Sequence, residues 1–248
     1  MKIVVLLKRV PDTASKIAVA GNAIDPAGIE WVVSPYDEIA VEKAIQLKEA
    51  GVAEKVTVLT LGPKEATKEI RTALAMGADE GIRLVDAATG RDAGATATAL
   101  GAAVKEAGAD LVLAGWKAAD TDDAVVPHLV AGALGHPCIT FAVGLEVADG
   151  KATIRREIEG AEEELEVALP AVVTVQKGLC EPRYTSLKGI MMAKKKKIDE
   201  RAAEAAEPRV RIVKMELPPA RAEGRIVGEG AEAVPALIQA LSDEQKLF

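Results

Sequence analysis

Between residues 2 and 135, short apolar runs alternate with segments of helical period, and that order admits few architectures. The runs are "KIVVLL" (2–7), "KVTVLTLG" (55–62), "GIRLVD" (81–86) and "DLVLAG" (110–115). The first is continuously apolar from Ile3, as in a strand covered on both faces; a strand with one wet face would alternate. Helical segments follow at "PYDEIAVEKAIQLKEAG" (35–51), "KEATKEIRTALAMGA" (64–78), "ATATALGAAVKEAG" (95–108) and "AVVPHLVAGALG" (124–135). In the first of these, Ile39, Ala40, Ala44 and Leu47 share one face, with Pro35 at the start and Gly51 at the stop. Repetition of this kind predicts a mostly parallel sheet with helices on both faces.

After Pro137 the pattern changes. Residues 140–169 hold "ADGK" between alternating segments, a hairpin signal, and a turn at Gly160 leads into a further amphipathic strand. "AVVTVQ" (171–176) is again a buried run. Antiparallel strands over 140–169 are therefore expected beside the parallel sheet. From about residue 198 the chain turns charged and Pro-rich, with a short last helix at "AVPALIQALSDEQK" (233–246). Val210, Ile212, Val213, Met215 and Leu217 suit an arm laid on another surface; composition alone fits a disordered tail equally well.

Charge decides the meaning of the four consecutive lysines, Lys194 to Lys197. Lys plus Arg number 31 against 38 Asp plus Glu, a net charge of −7, which opposes general binding to a phosphate backbone. No aromatic residues interleave the run, so a nucleic-acid patch is the least favoured reading. A protein-docking flank and a solvated charge cluster remain. The balance of 49% hydrophobic and 28% charged residues is that of a soluble globular chain. No apolar run approaches the ~18 residues that span a bilayer, so no direct membrane insertion is expected. "MKIVVLLKRVPDT" reads as an opening strand and not as a secretory signal. Cys138 and Cys180 match no metal spacing, and a reducing, cytoplasmic compartment is expected.

Catalytic patterns are missing. His128 and His136 have no neighbouring nucleophile elbow, and neither a dinucleotide G-x-G-x-x-G nor a P-loop occurs. The chain reads as a nucleotide-type fold without a catalytic constellation. Its best ligand segment is "AGWKAADTDDAVVP" (114–127), which leaves a strand end and enters a helix start. That is where open parallel sheets bind ligands, and a helix start offers free N–H groups to a phosphate. Asp120, Asp122 and Asp123 supply a rival reading, in which their carboxylates cap the helix and use those same groups.

Several stretches carry a family resemblance: "LLKRVPDT" (6–13), "PYDEIAVEKAIQLKE" (35–49), "IRTALAMGADEGI" (70–82), "DLVLAGWKAADTDD" (110–123), "RREIEG" (155–160) and "LPAVVTVQKGLCEPRYTSLKGIMMAKKKKI" (169–198). Along nearly its whole length the chain resembles the beta (small) subunit of electron-transferring flavoproteins. The resemblance implies an open, mostly parallel, doubly wound sheet of the adenine-nucleotide-hydrolase kind, with appended antiparallel strands and a C-terminal arm. It implies an electron carrier and not an enzyme. Such a beta subunit pairs with a larger alpha subunit that holds most of the FAD, and beta itself buries AMP. The carrier takes electrons from acyl-CoA dehydrogenases and related flavoenzymes and passes them to a membrane electron-transferring flavoprotein–quinone oxidoreductase. Residues 1–197 would form the α/β domain, with the antiparallel insertion 140–169 and a recognition loop at 181–192. Residues 198–248 would be an arm packed on the partner subunit.

The same resemblance places the AMP pocket at Leu6, at Ser34, Pro35, Tyr36 and Asp37, at Leu61, and along Gly115, Trp116, Lys117, Ala118, Ala119, Asp120, Thr121, Asp122, Asp123, Ala124, Val125 and Val126. Thr13 and Tyr36 match positions near the alpha-held flavin. Glu157 matches an acid that faces the mobile flavin domain. Glu181, Pro182, Arg183, Tyr184, Leu187, Ile190 and Met191 match the partner-recognition loop, with Leu187 as its exposed anchor and the lysines as its flank. The chain departs from the family at Asp123, where a small or amide residue is common, and at Ala124, Val125, Val126 and Pro127, where phosphate-binding side chains and a Gly are common. These changes disfavour a diphosphate more than a monophosphate. Two alternatives differ in kind: a bifurcating flavoprotein subunit with a second FAD, and a stand-alone nucleotide-binding module of the universal-stress type.

Overall fold

The computed structural model describes residues 1–85, 91–221, 223–244 and 246–247. In chain order the larger unit contains β1 (Lys2–Leu6), β2 (Arg9–Pro11), β3 (Val19–Ala20), β4 (Ala23–Ile24), β5 (Trp31–Val33), α1 (Pro35–Glu49) and β6 (Lys55–Gly62). There follow α2 (Thr67–Met76), β7 (Glu80–Val85), α3 (Ala93–Ala107), β8 (Leu111–Gly115) and α4 (Val126–Leu134). The unit closes with β9 (Cys138–Ala148), β10 (Lys151–Ile158), β11 (Ala161–Ala168), β12 (Ala171–Val175), α5 (Leu187–Ala193) and β13 (Ile198–Ala202). The expected strand 81–86 is seen to Val85; Asp86 lies outside the described residues.

Among the described residues nine strands make one sheet in the order β11-β10-β9-β12-β8-β1-β6-β7-β13. β1 lies parallel to both β6 and β8, and the chain winds outward from it in both directions. First it runs through α1 and α2 toward β7, then through α3 back across to β8, so strand order reverses at β1 and β8. The crevice of an open α/β sheet forms outside the strand ends at such a reversal.

Burial explains the continuous apolar runs. Ile3 and Val5 pack with Ile39, Ala44 and Leu74 of α1 and α2 on one face of the sheet. Val4 and Leu6 pack with Leu100, Val104 and Val130 of α3 and α4 on the other. Successive side chains point to opposite faces, so a doubly covered strand needs apolar residues at every position. The antiparallel end follows expectation. β9, β10 and β11 form a meander, and β9 runs parallel to β12. Asp149 and Gly150 turn the first hairpin, both with positive φ (51° and 75°), the backbone a two-residue I′ loop demands.

Two expectations need correction. Residues 198–202 do not open an arm; they form β13, parallel to β7, at the sheet edge. Leu187 does not sit in a loop; it opens α5, whose N-cap Ser186 accepts a hydrogen bond from the Gly189 N–H at 3.0 Å. The larger compact unit runs from Met1 to Lys214, and a second unit spans Met215–Phe248. The second unit contains a 3-10 turn at Ala231–Ala233 and helix α6 (Val234–Asp243), with no residue of that helix buried.

Candidate functional site

At the reversal point the C-terminal ends of β1, β6 and β8 border a cleft of about 360 Å³, within the size range of small-molecule sites. Leu6, Leu59, Leu61 and Leu100 give it apolar walls, and Lys8, Asp37, Lys117 and Asp123 give it polar edges.

Asp37 ties the site together. Its carboxylate accepts from the Lys8 N–H and the Gly115 N–H, both at 2.8 Å, and so bridges the chain after β1 to the end of β8. Only 6% of the residue is exposed. Burial pushes its pKa up to about 7, against the lowering effect of the two backbone donors. Gly115 is required by this approach: a Cβ there would lie 2.6 Å from Asp37 Oδ1 and from Tyr36 Cβ. Beside it, Trp116 meets Tyr36 edge-on at 5.5 Å and Phe141 at 4.9 Å, while the Lys117 ammonium lies 4.6 Å from its ring centroid.

The acidic turn does not cap α4. Asp120 pairs with Lys8 and Asp122 with Lys117, each at 2.8 Å. The N-cap of α4 is Val125, with no side-chain cap. Asp122 and Ala124 both take positive φ (54° and 51°), which turns the chain away from a capping geometry. Val125, Val126 and Pro127 line the cleft at the start of α4; Pro127 has no N–H and the Leu129 N–H bonds to Val125 O, which leaves Val126 and His128 as the first-turn donors.

Of the residues expected in the pocket, Leu6, Asp37, Leu61, Gly115, Lys117, Ala118, Thr121, Asp123, Ala124, Val125 and Val126 line the cleft. Ser34, Pro35, Tyr36, Trp116, Ala119, Asp120 and Asp122 do not line it; Asp120 and Asp122 pair with Lys8 and Lys117, which do. Ser34 and Pro35 start α1, and Ser34 is wholly buried. Thr13 lies on an exposed turn outside the cleft. Sequence reasoning missed Lys8, the second residue past β1, and Asp92, which also lines the cleft. Asp92 caps α3 through Ala95 N at 2.8 Å and accepts from the N–H groups of Arg209 and Val210. An Asp directly before a helical run was the available signal. His128 is exposed on α4, and no metal-binding cluster occurs among the described residues.

A second surface lies on the face of α1 and α2. Leu187 is 82% exposed, and Tyr184, Ile190, Met191 and Met192 are exposed beside it, as is Glu181. Pro182 is partly buried. Arg183, expected among the docking residues, is instead committed within the chain to Glu42 and Glu49. Lys196 is likewise not a free flank charge: its ammonium donates to the carbonyls of Leu74 and Ala78. Lys194, Lys195 and Lys197 are exposed. Glu157 is exposed on β10, opposite Glu162 of β11. Among the described residues no helix is long and apolar enough to cross a membrane.

The electron transfer flavoprotein domain model matches residues 22–206. The electron transfer flavoprotein subunit beta of Syntrophomonas wolfei is 48% identical over 224 residues, covering 90% of this chain and 88% of the relative. The Bacillus subtilis subunit beta is 40% identical over 258 residues, covering all of both chains. That of Sus scrofa is 39% identical over 235 residues, covering 90% and 91%. Likeness of this extent, laid over a doubly wound sheet with its cleft at the strand reversal, shows that the chain belongs to the electron transfer flavoprotein beta-subunit family.

Proposed function

We propose that the chain is the beta subunit of a heterodimeric carrier that accepts electrons from acyl-CoA dehydrogenases and related flavoenzymes. The carrier delivers them to a membrane quinone oxidoreductase, and it works in the cytoplasm. The observation that carries this reading is α5, a short helix that displays Leu187 and Met191 to solvent, 82% and 69% exposed. Exposed apolar side chains gathered on one small element mark a protein-docking site. Tyr36, Thr13 and Glu157 are assigned to the side that faces the alpha-held flavin, and the chain beyond Lys214 to the alpha subunit.

The cleft suits AMP. Its leucine walls accept a purine, and the uncapped first turn of α4, whose donors are Val126 and His128 because Pro127 has no N–H, is where one phosphate would sit. Lys8 and Lys117 are already paired with Asp120 and Asp122, and Asp123 adds negative charge at the same end. A diphosphate would compete with those carboxylates for both lysines, so a second FAD is disfavoured and with it bifurcation. When FAD is bound in the assembly it supplies the redox chemistry; this chain's residues supply the base beneath it and the partner contact.

Co-expression with a candidate alpha subunit tests the reading. The expected product is a yellow heterodimer that releases one FAD and one AMP on denaturation. A colourless nucleotide-binding homodimer would point to the stress-type module, and two FAD per heterodimer to the bifurcating class.

A further inference from the structure

The segment that displays Leu187 is tied down at both ends. Ahead of it, Arg183 lies across α1. Its guanidinium donates to both oxygens of Glu42 (2.7 and 3.0 Å) and both oxygens of Glu49 (2.6 and 2.9 Å). Glu42 is 3% exposed. Burial alone would raise its pKa, yet the hydrogen bonds from Arg183 and Gln46 hold it below the usual carboxylate range. Behind α5, the Arg71 guanidinium of α2 donates to the carbonyls of Ala193 and Lys196, the latter at 2.7 Å. Lys196 returns the tie, donating to Leu74 O at 3.0 Å and Ala78 O at 2.5 Å. Between these ties, small residues let α5 sit close to α2: Ala193 is 2% exposed, and a Cβ on Gly189 would fall 2.5 Å from Ala75 O. A helix of seven residues has no stability of its own, so its order comes from these attachments.

We propose that Arg183, Arg71 and Lys196 are positioning residues that hold α5 in its partner-binding pose, so that Leu187 and Met191 enter an apolar pocket of the electron-donating flavoenzyme as a preformed anchor. The inference rests on the docking reading of Leu187. A loose segment would have to be ordered at each encounter, which weakens binding. If loss of the tie leaves α5 in its pose about one-fifth of the time, the apparent KM for the donor rises ~fivefold while kcat is unchanged.

The test uses the flavin-loaded heterodimer with a purified acyl-CoA dehydrogenase as donor, together with hydrogen exchange of the amides of residues 187–193. Arg183→Met is expected to speed that exchange and raise KM about fivefold at constant kcat. Gly189→Ala pushes α5 off α2 with every tie residue intact, is expected to raise KM as well, and carries the test if Arg183→Met lowers the yield of folded protein. Combined with Leu187→Ala, Arg183→Met is expected to add little, because it acts through the same anchor. Unchanged exchange, faster exchange with wild-type KM, or fully additive effects would each overturn the proposal; additivity would mean that Arg183 touches the donor itself. A wild-type KM for Leu187→Ala alone would instead remove the docking reading on which the proposal stands.

Discussion

Leu187→Ala isolates the docking surface from everything else the chain does. The side chain is 82% exposed at the first position of α5, so the folded chain gains almost nothing from it. Alanine is the better helix former by a few tenths of a kcal/mol, and Tm should hold within ~2 °C. A donor pocket that buries the exposed part recovers about 0.8 kcal/mol for each of the three carbons removed, or ~2 kcal/mol after allowing for the fraction already covered. That corresponds to a ~30-fold weaker encounter complex. The assay is reduction of the heterodimer flavin over a range of dehydrogenase concentrations, with Tm and flavin content measured on the same samples. The expected outcome is a KM raised ten- to thirty-fold or so with flavin content intact. Wild-type KM, or a loss of activity that tracks a fall in Tm, would refute the reasoning.

Four further outcomes follow from the same geometry. Gly115→Ala places a methyl 2.6 Å from Asp37 Oδ1 and Tyr36 Cβ and should destabilise the chain by roughly 1–3 kcal/mol, read as a lowered urea midpoint and reduced nucleotide retention. Asp37, raised to about 7, binds its proton more tightly folded than unfolded. Its contribution is therefore fullest below about pH 4 and is lost as pH rises toward 7. The difference in stability between wild type and Asp37→Asn should change across that window, and a flat difference would contradict the assignment. Gln at Lys194, Lys195 and Lys197 should lower the association rate with the donor and its salt dependence while leaving Tm alone. Met at Lys196 should lower Tm, because it removes the side-chain donor from the carbonyls of Leu74 and Ala78.

The fold was legible where one physical requirement dominates a segment. Strands covered on both faces must be apolar where they are covered, and β1 from Ile3 onward and β8 are; the Asp149–Gly150 turn needs positive φ, and its residues say so. β13 escaped because an edge strand carries charge for good reason: "IDERA" reads as polar chain until β7 is known to lie beside it. α5 escaped through its length, although Ser186 three residues before Gly189 was a readable cap. The sequence left capping open as a rival role for the acidic turn because positive φ at Asp122 and Ala124 has no signature in those residue types. For Arg183 no local pattern would have served, since its partner Glu42 lies 141 residues away. The order of strand and helix pointed to 114–127 as the ligand turn and the family resemblance added Leu6 and Leu61, whereas Lys8 and Asp92 became visible only once the strands were ordered in space.

The most direct measurement is stopped-flow reduction of the heterodimer flavin by a purified acyl-CoA dehydrogenase and its substrate. Rapid bleaching is expected that requires the dehydrogenase, is slowed by Leu187→Ala and is reversed when a quinone oxidoreductase and excess quinone are added. A flavin that stays oxidised with the dehydrogenase yet bleaches with NADH alone would contradict it.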